Sequence, residues 1–218
     1  MKKYVNLFVF VFMVGACFSQ GKAQTKSAVS YKNPVVDIAM PDPTVIKAAD
    51  GYFYVYATES TRNVPIMKSK DLVQWTYCNT AFTNKTRPRF EPKAGIWAPD
   101  INYINNKYVL YYAMSVWGGE QTCGIGVATA NSPQGPFTDH GKMFRSNEIG
   151  VQNSIDPSFL QYEGRNYLVW GSFRGIYVIE LTEDGLSLKP GAEKKRIAGT
   201  AFEAAYIHKH GDYYYMFA

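Results

Sequence analysis

An acidic residue followed by a short apolar stretch, a turn and an aromatic segment recurs four times along this chain of 218 residues. The four units begin at Asp42, Asp100, Asp156 and Glu203, at spacings of 58, 56 and 47 residues. Each unit carries glycine or asparagine between its two apolar segments, and these residues favour the tight turns of β-hairpins. A period of about 50 residues with roughly four strands per unit is typical of a β-propeller, in which blades pack in a ring. The repeat therefore predicts an all-β propeller.

The place of the acid in each unit predicts where a functional site lies. The first strand of a propeller blade lines the central channel, so an acid just before or within that strand is delivered to the axis. Four acids at the same phase of four units are then expected to converge on one spot. A β-sandwich with acids at its turns is the alternative fold, but it does not explain why the acid recurs at one phase.

The fourth unit is shorter than the other three. Residues 213–218 correspond to its second strand, and the pattern stops there. The sequence thus predicts three blades and the start of a fourth, which is a propeller truncated within its fourth blade relative to a closed ring.

Composition agrees with a fold of short strands and tight turns, because aromatic residues make up 16% of the chain alongside 18 glycines and 11 prolines. Hydrophobic residues make up 46%, which excludes an intrinsically disordered chain, since disorder requires low hydrophobicity and high net charge. The formal net charge of +5 comes from scattered basic residues, and the longest basic run is Lys194-Lys195-Arg196. A nucleic-acid-binding protein concentrates its basic residues on one face, so we expect no nucleic-acid partner.

The first 23 residues have the pattern of a secretory signal peptide. Lys2 and Lys3 form a positive start, and residues 4–18 form an apolar run that is too short to span a bilayer comfortably. Small residues at Gly21 and Ala23 then offer a cleavage site. We therefore expect residues 1–23 to be a signal peptide, residues 24–218 to form the propeller domain, and the protein to be periplasmic or secreted.

Cys17 leaves a second interpretation of the leader open. The segment Val14-Gly15-Ala16-Cys17 also resembles a bacterial lipobox, in which the cysteine is lipidated and becomes the new N-terminus. Lipidation would anchor the protein at the cell envelope, and it is the one route by which we expect a membrane partner. Simple cleavage would leave Cys78 and Cys123, which are too few for a disulfide framework.

Paired carboxylates at an axis can hydrolyse a glycosidic bond. One ionised carboxylate deprotonates water, and a second, protonated carboxyl group gives its proton to the leaving oxygen. A third carboxylate nearby keeps the acid protonated by like-charge repulsion. Asp42, Asp156 and Glu203 suit these roles. Proline follows Asp42 and Asp156, and we expect it to hold both acids in an extended backbone conformation.

Several segments together resemble the motifs of glycoside hydrolase family 43. Those nearest the acids are Asp42-Pro43-Thr44-Val45-Ile46, Trp97-Ala98-Pro99-Asp100, Ser154-Ile155-Asp156-Pro157-Ser158 and Phe202-Glu203-Ala204. An outer-strand motif of this and related five-bladed families is similar to Ser69-Lys70-Asp71-Leu72 with Trp75. The endo-1,5-α-L-arabinanase branch is most similar at residues 153–159, 170–175 and 181–185.

The resemblance implies a five-bladed propeller and an inverting hydrolase that cleaves α-1,5-linked arabinan of the plant cell wall. It implies Asp42 as the base, Asp156 as the pKa modulator and Glu203 as the acid, with no cofactor required for the chemistry. A structural metal, often calcium, occurs at the axis of the arabinanase branch and is held in part by a histidine. His208 and His210 do not match that position, so the metal ligands remain unknown.

Aromatic and polar residues near the blade mouths are candidates for sugar binding, because tryptophan rings stack on sugar C–H faces and polar groups can bond to hydroxyls. The candidates are Trp97, Trp117, Asn153, Ser154, Gly171, Ser172 and Phe173. Packing between blades is the alternative for the two tryptophans, and ordinary turn chemistry is the alternative for the polar residues and glycine.

Two other functions remain open from the sequence. One is an exo-acting arabinofuranosidase or β-xylosidase of the same family, which would differ in the loops that block one end of the cleft. The other is a carbohydrate-binding fragment without catalytic activity. The three acids favour an enzyme, whereas the short fourth unit favours the inactive fragment.

Overall fold

Successive antiparallel sheets follow one another along the chain, and each contains strands in sequence order. In the computed structural model, which describes residues 30–59 and 62–218, the first sheet comprises β1 (Thr44–Lys47), β2 (Phe53–Tyr56), β3 (Pro65–Ser69) and β4 (Trp75–Thr80). The second sheet comprises β5 (Gly95–Ile104), β6 (Lys107–Ser115), β7 (Gly124–Ala130) and β8 (Thr138–Arg145). A single helical turn, α1 (Ser146–Ile149), follows β8.

The third sheet and a hairpin complete the described fold. The third sheet comprises β9 (Ser158–Tyr162), β10 (Arg165–Trp170), β11 (Ile176–Glu180) and β12 (Lys195–Ala198). The hairpin pairs β13 (Tyr206–His210) with β14 (Tyr213–Phe217), and every residue of β14 is exposed. These are three four-stranded blades and the first two strands of a fourth, as the repeat predicts.

The predicted signal peptide and Cys17 lie outside the described residues. Over the described ranges, none of the helical structure is both long enough and apolar enough to cross a membrane.

Two-residue turns join the first and second strands of blades two and three. Asn105 and Asn106 connect β5 to β6 with φ of 46° and 63°. Glu163 and Gly164 connect β9 to β10 with φ of 49° and 73°. Positive φ at both central residues is the requirement of a type I′ turn, whose twist matches that of the flanking strands. The asparagine and glycine residues therefore form the turns predicted from them.

Alternate residues of β6 pack against the two neighbouring blades. Leu110 and Tyr112 belong to the apolar cluster shared with the first sheet, whereas Val109 and Tyr111 belong to the cluster shared with the third sheet. A strand buried on both faces reads as a continuous apolar run, which explains the composition of β6. Sheets stacked in series in this way are propeller blades rather than the two facing sheets of a sandwich, so the propeller prediction is confirmed.

A buried ion pair ties the first sheet to the second. Glu59 follows β2, and Arg87 precedes β5; their side chains are only 10% and 7% exposed. Arg87 donates to both carboxylate oxygens, at 3.0 Å from Nη1 and 2.8 Å from Nη2. The same carboxylate accepts the backbone N–H groups of Asn63 and Ile96. The ionised Glu59 therefore depends on Arg87 as its counter-ion.

We expect Arg87→Met to lower the free energy of unfolding by about 3–5 kcal/mol, because it leaves the Glu59 carboxylate buried without a counter-ion. Urea denaturation followed by tryptophan fluorescence measures the change. The control is Arg89→Met, which removes an exposed arginine and is expected to change stability by less than about 0.5 kcal/mol. Equal urea midpoints for the two variants would contradict the prediction.

Candidate active site

A cleft of about 850 Å³ lies where the first strands of the blades begin. Asp42, which precedes β1, Asp156, which precedes β9, and Glu203, which precedes β13, all line it. The structure therefore brings together the three acids that the sequence singled out, although the first and the last are 161 positions apart in the sequence. Trp97 and Trp117 line the same cleft.

A left-handed residue lies within or just before the first strand of each unit. Asp42 has φ of 49° and Asp156 has φ of 57°, and the corresponding residues of the other units are Ala98 at 40° and Ala204 at 53°. The predicted extended conformation of Asp42 and Asp156 is therefore wrong, even though proline follows both. Non-glycine residues with positive φ are uncommon and cluster at functional sites.

These left-handed residues also correct the predicted phase of the repeat. Asp42 and Asp156 occupy the left-handed position itself, but Asp100 stands two residues after Ala98, and Glu203 stands one residue before Ala204. The four acids therefore do not share one phase. Spacing in the sequence resolves the period of the repeat to a few residues, whereas the direction of a side chain changes with every residue along a strand.

Thr58 orients the carboxylate of Asp42. Its hydroxyl donates to Oδ2 of Asp42 at 2.5 Å and accepts the backbone N–H of Ala98 at 2.7 Å. Its own backbone N–H donates to the carbonyl of Pro41 at 2.9 Å. Because the Ala98 N–H occupies the acceptor side of the hydroxyl, its proton is directed at Asp42, and the second carboxylate oxygen is left for another partner.

Ser172 orients the carboxylate of Glu203. Its hydroxyl donates to Oε2 at 3.1 Å, and the two residues form an isolated antiparallel bridge. Next to this bridge, the backbone N–H of Phe173 donates to the carbonyl of Phe202 at 2.9 Å. Ser172 lines the cleft but is only 2% exposed. Its hydroxyl is therefore engaged with Glu203, whereas the sequence analysis expects it to contact a sugar.

The surroundings of Asp156 raise its pKa. Burial raises the pKa of Asp156 to about 7, and the negative charges of Glu203 and Asp42 act in the same direction. A hydrogen bond from the backbone of Ala204 opposes the shift. Asp42, Asp156 and Glu203 line the same cleft, and the charges of the other two acids disfavour the ionised form of Asp156.

Asp100 lines the cleft as well, but both of its carboxylate oxygens are occupied. Oδ2 accepts the backbone N–H of Phe159 at 2.7 Å and the side-chain amide of Asn102 at 2.8 Å, and Oδ1 accepts the hydroxyl of Thr44 at 3.4 Å. Burial raises the pKa of Asp100 to about 6, against these three hydrogen bonds. The carboxylate of Asp100 is therefore engaged by hydrogen bonds within the protein.

Two of the aromatic candidates, Trp97 and Trp117, pair with each other in the cleft. The rings of Trp97 and Trp117 lie 5.6 Å apart between centroids at an angle of 53°, and Trp117 is 94% exposed. Phe173 is half exposed on the same cleft, and Asn153 donates from its side-chain amide to the carbonyl of Ser172 at 3.0 Å. An exposed tryptophan backed by a second one offers a flat apolar surface to a ligand.

Two of the predicted sugar-contacting residues do not reach the cleft. Ser154 is fully buried; its hydroxyl donates to the carbonyl of Val151 at 2.8 Å and accepts the indole N–H of Trp170 at 3.1 Å. Gly171 is also buried, and a Cβ there would lie 2.2 Å from the carbonyl oxygen of Gly175. The predictions for Ser154 and Gly171 are wrong, because both positions are taken up by packing within blade three.

The described residues do not fit a metal site. Residues 30–59 and 62–218 contain no group of three or more His, Cys, Asp or Glu side chains arranged to hold a metal ion. His208 and His210 lie exposed on β13, and the ring of His208 stacks on Tyr206. We therefore assign no ligand to the calcium that the resemblance implies.

Comparison with known proteins identifies the family. The model of the glycosyl hydrolases family 43 matches residues 31–218. The chain belongs to this family. The family 43 protein is 35% identical over 189 residues to the extracellular endo-α-(1→5)-L-arabinanase 1 of Bacillus subtilis, covering 80% of this chain but only 57% of that relative.

Solved structures of arabinanases share the fold. The native Bacillus subtilis arabinanase superposes with a TM-score of 0.72 at 31% identity, covering 83% of this chain and 65% of that one. An exo-1,5-α-L-arabinanase from a bovine ruminal metagenomic library superposes with a TM-score of 0.70 at 30% identity, covering 86% and 66%. The family 43 chain thus spans somewhat less than two thirds of these five-bladed propellers.

Proposed function

We propose that this protein hydrolyses α-1,5-linked L-arabinan with inversion at the anomeric carbon. The observation that carries the proposal is the cluster of Asp42, Asp156 and Glu203 around one open cleft, in which two of the acids perturb the third. Membership of family 43 and the arabinanase relatives support the substrate class. No cofactor is needed, because protons and water suffice for this reaction.

Asp42 acts as the general base in this proposal. Thr58 occupies Oδ2, so Oδ1 is available to accept a proton from a water molecule. The water oxygen attacks the anomeric carbon as its proton passes to Asp42, and the bond between that carbon and the leaving oxygen breaks. The Thr58 hydrogen bond limits rotation of the carboxylate, so the accepting oxygen is held in place before the substrate arrives.

Glu203 acts as the general acid. Ser172 occupies Oε2, so Oε1 is available to carry the proton and to deliver it to the leaving oxygen as the glycosidic bond breaks. Asp156 and Glu203 repel each other when both are ionised, so the pair favours holding one proton, which Glu203 delivers to the leaving oxygen. Water attacks the anomeric carbon from the Asp42 side, and the leaving group departs on the Glu203 side. The product therefore has the inverted configuration.

The pair of Trp97 and Trp117 in the cleft supports a polysaccharide substrate. Trp117 is almost fully exposed on an open cleft, where it can stack on the apolar face of a sugar ring without a change in the blades. We propose that Trp97, Trp117, Asn153 and Phe173 contact the chain on either side of the cleaved bond. An exo-acting arabinofuranosidase or β-xylosidase, and a binding fragment without activity, are the competing functions.

We also propose that the protein is exported. The pattern of residues 1–23 and the extracellular relative from Bacillus subtilis support a periplasmic or secreted location. Lipidation of Cys17 is the alternative route to the outer surface. Mass spectrometry of the mature N-terminus separates the two, since cleavage before Gln24 leaves an unmodified chain and lipidation leaves a diacylated cysteine.

Hydrolysis of linear α-1,5-arabinan tests the proposed function. Chromatography of early products is expected to show a mixture of arabino-oligosaccharides, and proton NMR of the first product is expected to show the inverted β-anomer. Arabinose alone would favour the exo-acting alternative, and release of xylose from xylo-oligosaccharides would favour a β-xylosidase. Binding of arabinohexaose by calorimetry without any cleavage would overturn the proposal in favour of a binding protein.

Asp156→Asn is expected to move the alkaline limb of the pH–rate profile to lower pH. Asp156 ionises near pH 7, and above that pH its negative charge opposes the loss of a proton from Glu203. The neutral amide removes this opposition, so the general acid is lost at lower pH. Initial rates on arabinan between pH 4 and pH 9 measure the change, and an unmoved alkaline limb would contradict it.

The same variant changes stability with a defined sign. The pKa of Asp156 is raised in the folded protein, so its contribution to stability is present below its unfolded pKa of about 3.9. That contribution is lost as the pH rises through the folded pKa of about 7. Asp156→Asn is therefore expected to melt at a higher temperature than the parent at pH 8 and to show no such gain at pH 4.

A further inference from the structure

Asp100 joins the first strands of three blades at the axis. It lies in β5 of blade two, and its carboxylate accepts hydrogen bonds from Thr44 in β1 of blade one and from Phe159 in β9 of blade three. The hydroxyl of Thr44 in turn accepts the backbone N–H of Ile101 at 3.3 Å. One side chain thus fixes the spacing of three strands that are 56 and 59 residues apart in sequence.

The two partners of Asp100 stand next to two of the clustered acids. Thr44 is two residues after Asp42, and Phe159 is three residues after Asp156. A proline with fixed φ lies between acid and partner in both segments, and both acids have left-handed backbones. A shift of Thr44 or Phe159 would therefore move the acid rather than be absorbed by the backbone between them.

The neighbours of Asp100 require both of its side-chain oxygens to act as hydrogen-bond acceptors. Phe159 and Asn102 donate to Oδ2, and Thr44 donates to Oδ1. An asparagine would retain one acceptor oxygen for the Phe159 side but would present an amide N–H₂ to the Thr44 hydroxyl. An alanine would remove both links and leave the backbone N–H of Phe159 without its partner.

We propose that Asp100 is a positioning residue that sets the separation of Asp42 from Asp156 through Thr44 and Phe159. This inference rests on the proposed function of the cleft and adds a fourth acid to it, one whose two carboxylate oxygens are engaged by protein groups. It explains why both oxygens of a carboxylate that lines the cleft accept hydrogen bonds from the protein. Misplacement of reacting groups by about 1 Å costs about 100-fold in rate.

A graded series of variants tests the proposal. Asp100→Ala is expected to lower kcat on arabinan by about 100-fold per folded molecule, with KM within a factor of about three. Asp100→Asn, which keeps the acceptor for Phe159, is expected to recover part of the loss. Thr44→Val, which keeps the charge of Asp100 and cuts only its link to blade one, is expected to lower kcat in the same way.

Asp139→Ala is the matched control. Asp139 is a carboxylate of the same blade that accepts the hydroxyl of Tyr112 at 2.5 Å and the backbone N–H of Gly141 at 2.9 Å, and both of these partners belong to blade two. It is expected to leave kcat of the folded protein unchanged. Equal losses for Asp100→Asn and Asp100→Ala, a rise in KM alone, or an unaffected kcat in Thr44→Val would each overturn the positioning role.

A titration without substrate separates this inference from the proposed function. The carboxyl carbon of Asp156, followed by NMR, reports the charge of Asp42 nearby. Asp100→Ala and the charge-neutral Thr44→Val are both expected to move the titration midpoint of Asp156 to lower pH, and Asp139→Ala is not. A parent that fails to cleave arabinan would defeat the proposed function alone, whereas an unmoved Asp156 midpoint would defeat the role of Asp100.

Discussion

Glu203→Gln is expected to lower the rate of arabinan hydrolysis by about 10³-fold or more, because the amide has no proton to give to the leaving oxygen. The glutamine side chain has the same shape, and Ser172 can still donate to its oxygen, so the fold and the bridge between the two residues are expected to remain. The thermal midpoint of the variant should therefore match that of the parent. Reducing-sugar release measures the loss of activity.

The leaving group of the substrate identifies the role of Glu203. A dinitrophenyl aglycone departs without protonation. Glu203→Gln is therefore expected to cleave a dinitrophenyl arabinotrioside nearly as fast as the parent does. Glu193→Gln is the matched control, since Glu193 is an exposed glutamate outside the cleft lining, and it is expected to behave like the parent on both substrates. Full activity of Glu203→Gln on arabinan would refute the assignment of the acid.

The repeat in the sequence was sufficient to predict the blades. Apolar segments of strand length separated by asparagine and glycine turns specify local hairpins. The continuous apolar run of β6 indicates a strand that is buried on both faces. These features depend on residues close together in the chain. The convergence of Asp42, Asp156 and Glu203 on one cleft follows for the same reason, since each stands at the start of a hairpin that the pattern defines.

The contacts that orient the acids were not predictable from the sequence. Thr58 reaches Asp42 only because the segment after β2 folds back to Pro41 and meets Ala98 of the next blade. No local signal distinguishes this threonine from any other residue after a strand. Ser154 and Ser172 show the same limit, because both lie in motifs near the cleft while their hydroxyls serve Trp170 and Glu203.

Asp42→Asn is expected to lower hydrolysis by about 10³-fold or more on arabinan, and, unlike the change at Glu203, by a similar factor on the dinitrophenyl arabinotrioside. Attack by water requires a base whatever the leaving group is, so an activated aglycone cannot replace Asp42. The asparagine can still accept the hydroxyl of Thr58, so the side chain is expected to stay in place. The matched control is Asp37→Asn, an exposed aspartate five residues earlier in the chain.

The pair of acid and base variants assigns both roles in one experiment. A loss on arabinan that the activated aglycone rescues identifies the proton donor, and a loss that it does not rescue identifies the base. If Asp42→Asn were rescued and Glu203→Gln were not, the two roles would be exchanged. The Thr58 hydroxyl leaves one oxygen of Asp42 free, and the Ser172 hydroxyl leaves one oxygen of Glu203 free, so each acid has a single oxygen for its proton transfer. Each variant is therefore expected to keep the orienting hydrogen bond and to lose only the oxygen that transfers the proton.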